Sequence, residues 1–184
     1  MQVTYPTHGL VRLSSHLGLR CLAVNLLLIL GSYITIPNPI VPITLQTLTV
    51  CLAGLLLGPT LGAATVLLWL GEAIVGLPVL ANGTLGIAAF VGPTAGYLFS
   101  FPMMAWLMGA VRRQSLWVML LMSLFAYAFC LSMGSLVLSL LLDSTVAQGF
   151  LLGFLPFISG SLIKIALFLC VVKALTVVKR VPHL

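Results

Sequence analysis

The chain has 184 residues, of which 61% are hydrophobic and only 5% are charged, and its mean hydropathy is +1.27. Soluble domains carry about 25% charged residues, so this composition excludes a water-facing globular surface and indicates an integral membrane protein. The net charge of +6 comes from cations that flank apolar segments. We therefore interpret them as topology signals and anchors to lipid headgroups rather than as a nucleic-acid surface.

Six apolar segments predict an all-α membrane protein, a bundle of six transmembrane helices in a single domain of residues 1–184. A helix that crosses a bilayer needs about 20 mostly apolar residues. The segments cover residues 17–36, 43–57, 61–77, 90–111, 116–142 and 150–178. Helix-breaking or charged residues separate them at Gly58-Pro59, Pro78, Arg112-Arg113 and Asp143, and Pro156 interrupts the last segment early.

The lysine and arginine clusters predict the orientation of this bundle. They lie before or at the start of span one, between spans four and five, and at the end of span six. Because positively charged loops stay on the cytoplasmic side, six spans place both termini inside, including a short N-terminal segment of residues 1–16. The loops of residues 37–42, 78–89 and 143–149 are then outside. They are longer and more polar than the inner turns, so we expect a ligand site that opens outward.

The residues needed for catalysis are missing from this sequence. It holds two acids, Glu72 and Asp143, and its three histidines, His8, His16 and His183, lie near the chain ends. Paired carboxylates, a metal-ligand cluster or a nucleophile with its base cannot be assembled from them. No GxxxxGK[ST] phosphate loop occurs either. We predict a small non-enzymatic binding unit, without a metal or cofactor, whose energy comes from another protein.

Two charged residues, Glu72 and Lys164, fall inside predicted spans and away from their cytoplasmic ends, where a charge is costly. Glu72 precedes Pro78 by six residues and Lys164 follows Pro156 by eight, so at 1.5 Å per residue both lie about 10 Å from the outer helix ends. One interpretation is a buried Glu72–Lys164 ion pair. The other is that Lys164 presents its ammonium to an anionic or carbonyl-bearing ligand, and the two are compatible. Ser161 lies on the same helix face as Lys164.

Other polar residues near the outer side allow two interpretations each. Thr44 and Gln46 either line a site or cap the second span. Asn82, in the segment LANGTLG, is either a turn residue or part of a site. Tyr97 is either an interface aromatic or a stacking wall. Asn25, in the middle of span one, is expected to form an interhelical hydrogen bond.

Several motifs in chain order carry a family resemblance. PNPIVPITLQTL, AGLLLGPTLGA, GEAIVGLPVLANG, FVGPTAGYLFSF and PFISGSLIK together resemble BioY, the substrate-binding S component of energy-coupling-factor (ECF) biotin transporters. The resemblance covers roughly residues 17–175. It implies six helices in the cytoplasmic membrane, an outward-facing biotin pocket, a first loop that closes over the ligand, and three partner chains: a transmembrane coupling subunit and two ATPase subunits.

The resemblance also implies a set of ligand contacts. The last helix of the family is similar to PFxPGDxxK, whose Asp and Lys are expected to contact the ligand. Here Ser161 stands at the Asp position and Lys164 at the Lys position, so a hydroxyl replaces a carboxylate. Glu72, in the family-like GEA segment, is a candidate to compensate. The predicted substrate-binding residues are Lys164, Ser161, Asn82, Gln46, Thr44, Tyr97 and Glu72.

Two further elements follow from the resemblance. The proline-rich loop is interpreted as a gate whose prolines limit the entropy lost on closing; its residues are Pro37, Asn38, Pro39 and Pro42. S components use an AxxxA pattern on helix one to meet the coupling subunit. This chain keeps only half of that pattern, with Ala23 followed by Leu27 four residues later.

Two other functions stay open at this point. One is a self-sufficient vitamin carrier in which Glu72 is a proton-coupling carboxylate. The other is a membrane scaffold without transport activity, for which Asn82 and Lys164 would be dispensable.

Overall fold

The computed structural model describes residues 7–38 and 40–178, with side chains for residues 16–38 and 40–176. Eight helices are present in this part of the chain: α1 (Thr7–Tyr33), α2 (Gln46–Leu57), α3 (Pro59–Ile74), α4 (Ala88–Val91), α5 (Ala95–Ala110), α6 (Leu116–Leu141), α7 (Val146–Gly153) and α8 (Ile158–Val178). Short 3-10 turns cover Ala81–Gly83 and Leu155–Phe157. The all-α prediction is confirmed, apart from one small hairpin.

The helix boundaries follow the breaks predicted from the sequence. Gly58 separates α2 from α3, and Pro59 occupies the first turn of α3, where a missing N–H costs nothing. Pro156 lies in the 3-10 turn between α7 and α8, so the predicted interruption of the last segment is confirmed. The predicted fourth segment is divided as well, because Gly92, Pro93 and Thr94 separate α4 from α5.

Two predicted boundaries are wrong. Helix α1 begins at Thr7 and its membrane-span segment starts at His16, close to the predicted residue 17, but the helix ends at Tyr33, three residues before the predicted end at residue 36. The second predicted span begins three residues too early, because Ile43–Thr44 form strand β2 and pair with strand β1, Thr35–Ile36. The strands are antiparallel, with Thr35 opposite Thr44.

The chain is a multi-pass membrane protein. Three of its described helical segments are long and apolar enough to cross a membrane: His16–Tyr33, Leu116–Leu141 and Val146–Thr176, the last of which contains α7 and α8. Helices α2 and α3 are apolar but shorter. Large apolar side chains such as Leu19, Leu30, Trp117 and Leu121 are more than half exposed, as expected for a surface that faces lipid.

Helix α5 occupies the centre and packs against α2, α3 and α6. Glycines make these contacts close: a Cβ atom at Gly54 would lie 2.1 Å from the carbonyl oxygen of Ala105. At the other end of α5, a Cβ atom at Gly96 would lie 2.4 Å from the carbonyl oxygen of Met133 on α6. Small residues of this kind let helix backbones approach one another inside a membrane. Helix α8 contacts α2 and α6, and a cavity lies where these helices begin to separate.

Candidate ligand-binding cavity

A cavity of about 190 Å³ lies beneath the hairpin, between the start of α2, the loop before α5, and the first turns of α8. Its apolar walls are formed by Val41, Leu80, Leu98, Phe101, Leu131 and Phe157. Its polar groups come mainly from Thr44, Gln46, Thr47, Asn82, Ser161 and Lys164. Apolar walls with a few convergent polar groups are typical of small-molecule sites.

Among the residues that the structure describes, Lys164 is the only basic one that lines this cavity. It is 7% exposed, and its Nζ donates to the carbonyl oxygen of Thr44 and to Oγ1 of Thr47, each at 3.0 Å. Its ammonium also lies 6.0 Å from the ring centroid of Tyr127. An ammonium group has three N–H donors, so these two bonds leave one donor unused, and neither Glu72 nor Asp143 is among the described residues that line the cavity. A buried charge in this state favours a ligand that supplies an acceptor oxygen.

The predicted Glu72–Lys164 ion pair is wrong. Glu72 instead accepts a hydrogen bond from Nδ2 of Asn25 at 2.6 Å, which joins α3 to α1. The interhelical hydrogen bond predicted for Asn25 is thereby confirmed. The carboxylate is not among the groups that line the cavity, so the prediction of Glu72 as a ligand contact does not fit the structure. Equal depth in the membrane was the basis for the pair, but Glu72 bonds to Asn25 whereas Lys164 bonds to Thr44 and Thr47.

Thr44 and Gln46 combine both of the roles that the sequence left open. Oγ1 of Thr44 accepts from the backbone N–H of Gln46, the first residue of α2, at 3.2 Å, and donates to Oε1 of Gln46 at 3.0 Å. Thr44 therefore satisfies an N–H group at the helix start. Both residues also line the cavity. Nε2 of Gln46 is buried and has no hydrogen-bond partner within the described residues, so it is a donor available to a ligand.

Ser161 and Tyr97 both line the cavity. Ser161 is one turn before Lys164 on α8, is buried, and lines the cavity. Tyr97 is 7% exposed, and its hydroxyl donates to the carbonyl oxygen of Gly153 at 2.6 Å. Its ring packs against that of Phe157 at a centroid distance of 6.0 Å. Tyr97 is therefore a wall of the cavity, and the interface interpretation is wrong.

The proline-rich loop forms the tip of the β1–β2 hairpin. Oδ1 of Asn38 accepts from the backbone N–H of Ile40 at 3.4 Å, which is a local turn contact. Pro42 lines the cavity, whereas Pro37 and Asn38 do not. Pro39 lies outside the described residues. Of the residues predicted to form the gate, the one that lines the cavity is therefore Pro42, in the second half of the loop.

A second loop meets the hairpin over the cavity. Oδ1 of Asn82 accepts from Oγ1 of Thr35 on β1 at 2.8 Å. Asn82 has a φ of 56°, a left-handed conformation that asparagine tolerates well, and it also lines the cavity. Two hydrogen bonds anchor the start of this loop: the carbonyl oxygen of Val79 accepts from Nε1 of Trp69 at 3.0 Å and from Oγ of Ser32 at 2.7 Å. Asn82 is therefore a turn residue and a residue of the site.

Comparison with known proteins identifies the family of this chain. The family model for BioY matches residues 8–181. The chain belongs to the BioY family. It is 37% identical to a probable biotin transporter BioY from Pyrococcus horikoshii, over 74% of this chain and 81% of that protein. It is 33% identical to the biotin transporter BioY of Thermotoga maritima, over 76% of this chain and 83% of that protein.

A solved structure shows the same fold. The crystal structure of the S-component for biotin from an ECF-type ABC transporter superposes with a TM-score of 0.79 and 28% sequence identity. The match covers 94% of this chain and 95% of that one. The fold of that S-component is therefore shared along nearly the whole chain.

Sequence reasoning missed several residues of the cavity. Three of them lie inside motifs that carry the family resemblance: Thr47 in ITLQTL, Thr94 in GPTAGY and Phe157 in PFISGS. The motifs therefore indicated these residues, but no role was assigned to them. Leu131 of α6 had no such signal. An apolar residue on a cavity wall has the same pattern in the sequence as an apolar residue in the core, because both face inward.

The predicted partner-interface residues lie on α1. Ala23 is exposed and Leu27 is half-buried. They belong to a side of α1 that also exposes Leu19, Leu22 and Leu26, so their placement is compatible with either lipid or a partner subunit. Their role at an interface stays a prediction.

Proposed function

We propose that this chain captures biotin from outside the cell and is the substrate-binding subunit of an ATP-driven ECF transporter in the cytoplasmic membrane. In this proposal six helices span the bilayer, both termini are cytoplasmic, and the cavity opens outward. The observation that carries it is the buried ammonium of Lys164, which faces the cavity with an unused donor. The biotin transporters and the biotin S-component among its relatives support the choice of ligand.

The chemistry of the cavity suits biotin at both ends. The fused rings of biotin are apolar and fit walls such as Leu98, Phe101 and Leu131. The ureido group donates and accepts hydrogen bonds, and the side-chain amide of Asn82, which lines the cavity, has both a donor and an acceptor. The carboxylate of the valerate tail would compensate Lys164, because neither acid of this chain lines the cavity. A buried polar site of this kind rejects ligands that leave its groups unpaired.

In this proposal the chain itself performs no catalysis. Its two acids and terminal histidines offer no machinery for ATP hydrolysis, so ATPase partners and a transmembrane coupling subunit would supply the energy. Ala23 and Leu27 on the exposed side of α1 are the predicted contact with the coupling subunit. The hairpin around Pro42 would act as the gate that opens and closes the cavity.

Direct binding tests the ligand. Isothermal titration of the purified protein with biotin should give saturable heat, and unlabelled biotin should displace labelled biotin. Absence of both signals would refute biotin as the ligand, whatever the transport mechanism.

A self-sufficient proton-coupled carrier is the second candidate function. The observation that favours it is Glu72, whose Oε2 is buried without a hydrogen-bond partner within the described residues, as a proton-carrying carboxylate could be. Uptake into vesicles that contain this chain alone would distinguish the two candidates. Uptake that is lost in Glu72→Gln and on collapse of the proton gradient would support the carrier. Uptake that requires ATPase subunits and survives in Glu72→Gln would support the ECF subunit.

A further inference from the structure

A second cavity, of about 570 Å³, lies at the opposite end of the helices that form the first. It is bounded by the last turn of α2 and the last turns of α8, whereas the first cavity contacts the starts of both helices. Ten residues of α2 separate Gln46 from Leu56, which is about 15 Å at 1.5 Å per residue. The two cavities therefore lie at opposite ends of the bundle.

Three arginines from two separate parts of the chain converge on this second cavity: Arg20 of α1, and Arg112 and Arg113 of the α5–α6 turn. Arg20 is held in place because its Nη2 donates to the carbonyl oxygen of Leu56 at 3.1 Å. Arg112 is packed closely on the α2–α3 turn, since a Cβ atom at Gly58 would lie 2.7 Å from its Nη1. Each guanidinium has five N–H donors, so both retain donors for a ligand.

No acidic side chain is among the described residues that line the cavity with the three arginines. The only acids are Glu72 and Asp143. Asp143 follows the far end of α6, whose 26 residues span about 39 Å. Glu72 lies thirteen residues beyond Pro59 on α3, about 20 Å away along that helix, and is bonded to Asn25. The positive charge of this cavity therefore calls for an anion from outside the chain.

We propose that this cavity binds the phosphate headgroup of an anionic phospholipid. Guanidinium groups pair with phosphate oxygens through parallel N–H bonds, and basic pockets between transmembrane helices bind such headgroups. The walls favour a lipid over free phosphate, because Leu55, Leu116, Val172 and Leu175 provide an apolar surface for acyl chains next to the arginines.

Native mass spectrometry of the detergent-purified protein tests the proposal with phosphatidylglycerol and phosphatidylcholine of equal chain length. The wild type should retain phosphatidylglycerol preferentially. Arg20→Gln and Arg113→Gln should each weaken that retention by about fivefold while biotin affinity stays unchanged. Lys173→Gln is the matched control. Lys173 is exposed and lies on α8 between Val172 and Leu175, which line the cavity, but it does not line the cavity itself.

Four results would overturn the proposal. The first is equal retention of the two lipids by the wild type, and the second is an effect of Arg113→Gln no larger than that of Lys173→Gln. The third is protection against thermal unfolding by inorganic phosphate alone that equals protection by phosphatidylglycerol, which would make the site one for a free anion. If the arginine variants lose a copurifying partner subunit yet keep phosphatidylglycerol, the arginines form a protein interface and the lipid proposal fails.

Discussion

Replacement of Lys164 by methionine should weaken biotin binding by about tenfold to a hundredfold. Methionine keeps an apolar stem of similar length but removes the ammonium. In the structure the ammonium donates to two internal acceptors and has one unused donor. If the ligand accepts from that donor, the variant loses one charge-assisted hydrogen bond to the ligand. Such a bond contributes about 1.5–3 kcal/mol, and each 1.4 kcal/mol is a factor of ten in affinity.

The assay is isothermal titration in detergent, with thermal unfolding of the ligand-free protein measured in parallel. The substitution also leaves the acceptors at Thr44 and Thr47 without their donor, so some loss of stability is expected and must be separated from the loss of affinity. Lys173→Met is the matched control, since Lys173 lies nine residues further along α8 and is exposed. Its affinity should equal that of the wild type.

Comparison of biotin with biotinol, which lacks the carboxylate, identifies the ligand group near Lys164. If the carboxylate lies there, the wild type should prefer biotin by about tenfold, and Lys164→Met should lose most of this preference. A preference that persists in the variant would place the carboxylate elsewhere in the cavity. A folded Lys164→Met protein that binds biotin within threefold of the wild type would refute the role of Lys164 altogether.

Three further predictions concern the gate, the helix packing and the intramembrane carboxylate. Pro37→Ala and Pro42→Ala should each speed biotin release by about twofold to fivefold, because each proline limits backbone entropy by about 0.4–1 kcal/mol; unchanged release in a chase experiment would reduce the hairpin to a connector. Gly54→Ala should lower the free energy of unfolding by about 1–3 kcal/mol, because its Cβ would clash with a backbone carbonyl of α5. The control is Gly71→Ala, whose Cβ meets nothing within 4 Å and which should not be destabilising. Equal Tm values of the two variants would contradict the close packing at Gly54. Glu72→Ala should lower the free energy of unfolding by about 1–3 kcal/mol, because it leaves a buried amide of α1 without its partner. Glu72→Gln retains the acceptor and should be close to the wild type. Equal losses of stability of the two variants in thermal unfolding would contradict a stabilising role of this hydrogen bond.

Local chemistry explains why the sequence predicted the helix boundaries well. Proline and glycine act on the backbone of their own and adjacent residues, so Gly58-Pro59 and Pro156 end helices regardless of what surrounds them. Prediction failed where the effect was not local. The two-residue strands of the hairpin exist only because Thr35 and Thr44 meet across a loop, and no periodic pattern marks strands that short.

The sequence by itself determined that this is a multi-pass α-helical membrane protein, because so few charges cannot cover a surface in water. It also determined the family, through motifs spread along the chain. Six of the seven predicted ligand contacts line one cavity, although their role in binding stays a prediction. Only the tertiary structure decided that Lys164 bonds to Thr44 and Thr47 while Glu72 bonds to Asn25. Residue spacing gives depth along a helix axis, but the partner of a side chain depends on how each helix is rotated, and many packing contacts set that rotation together.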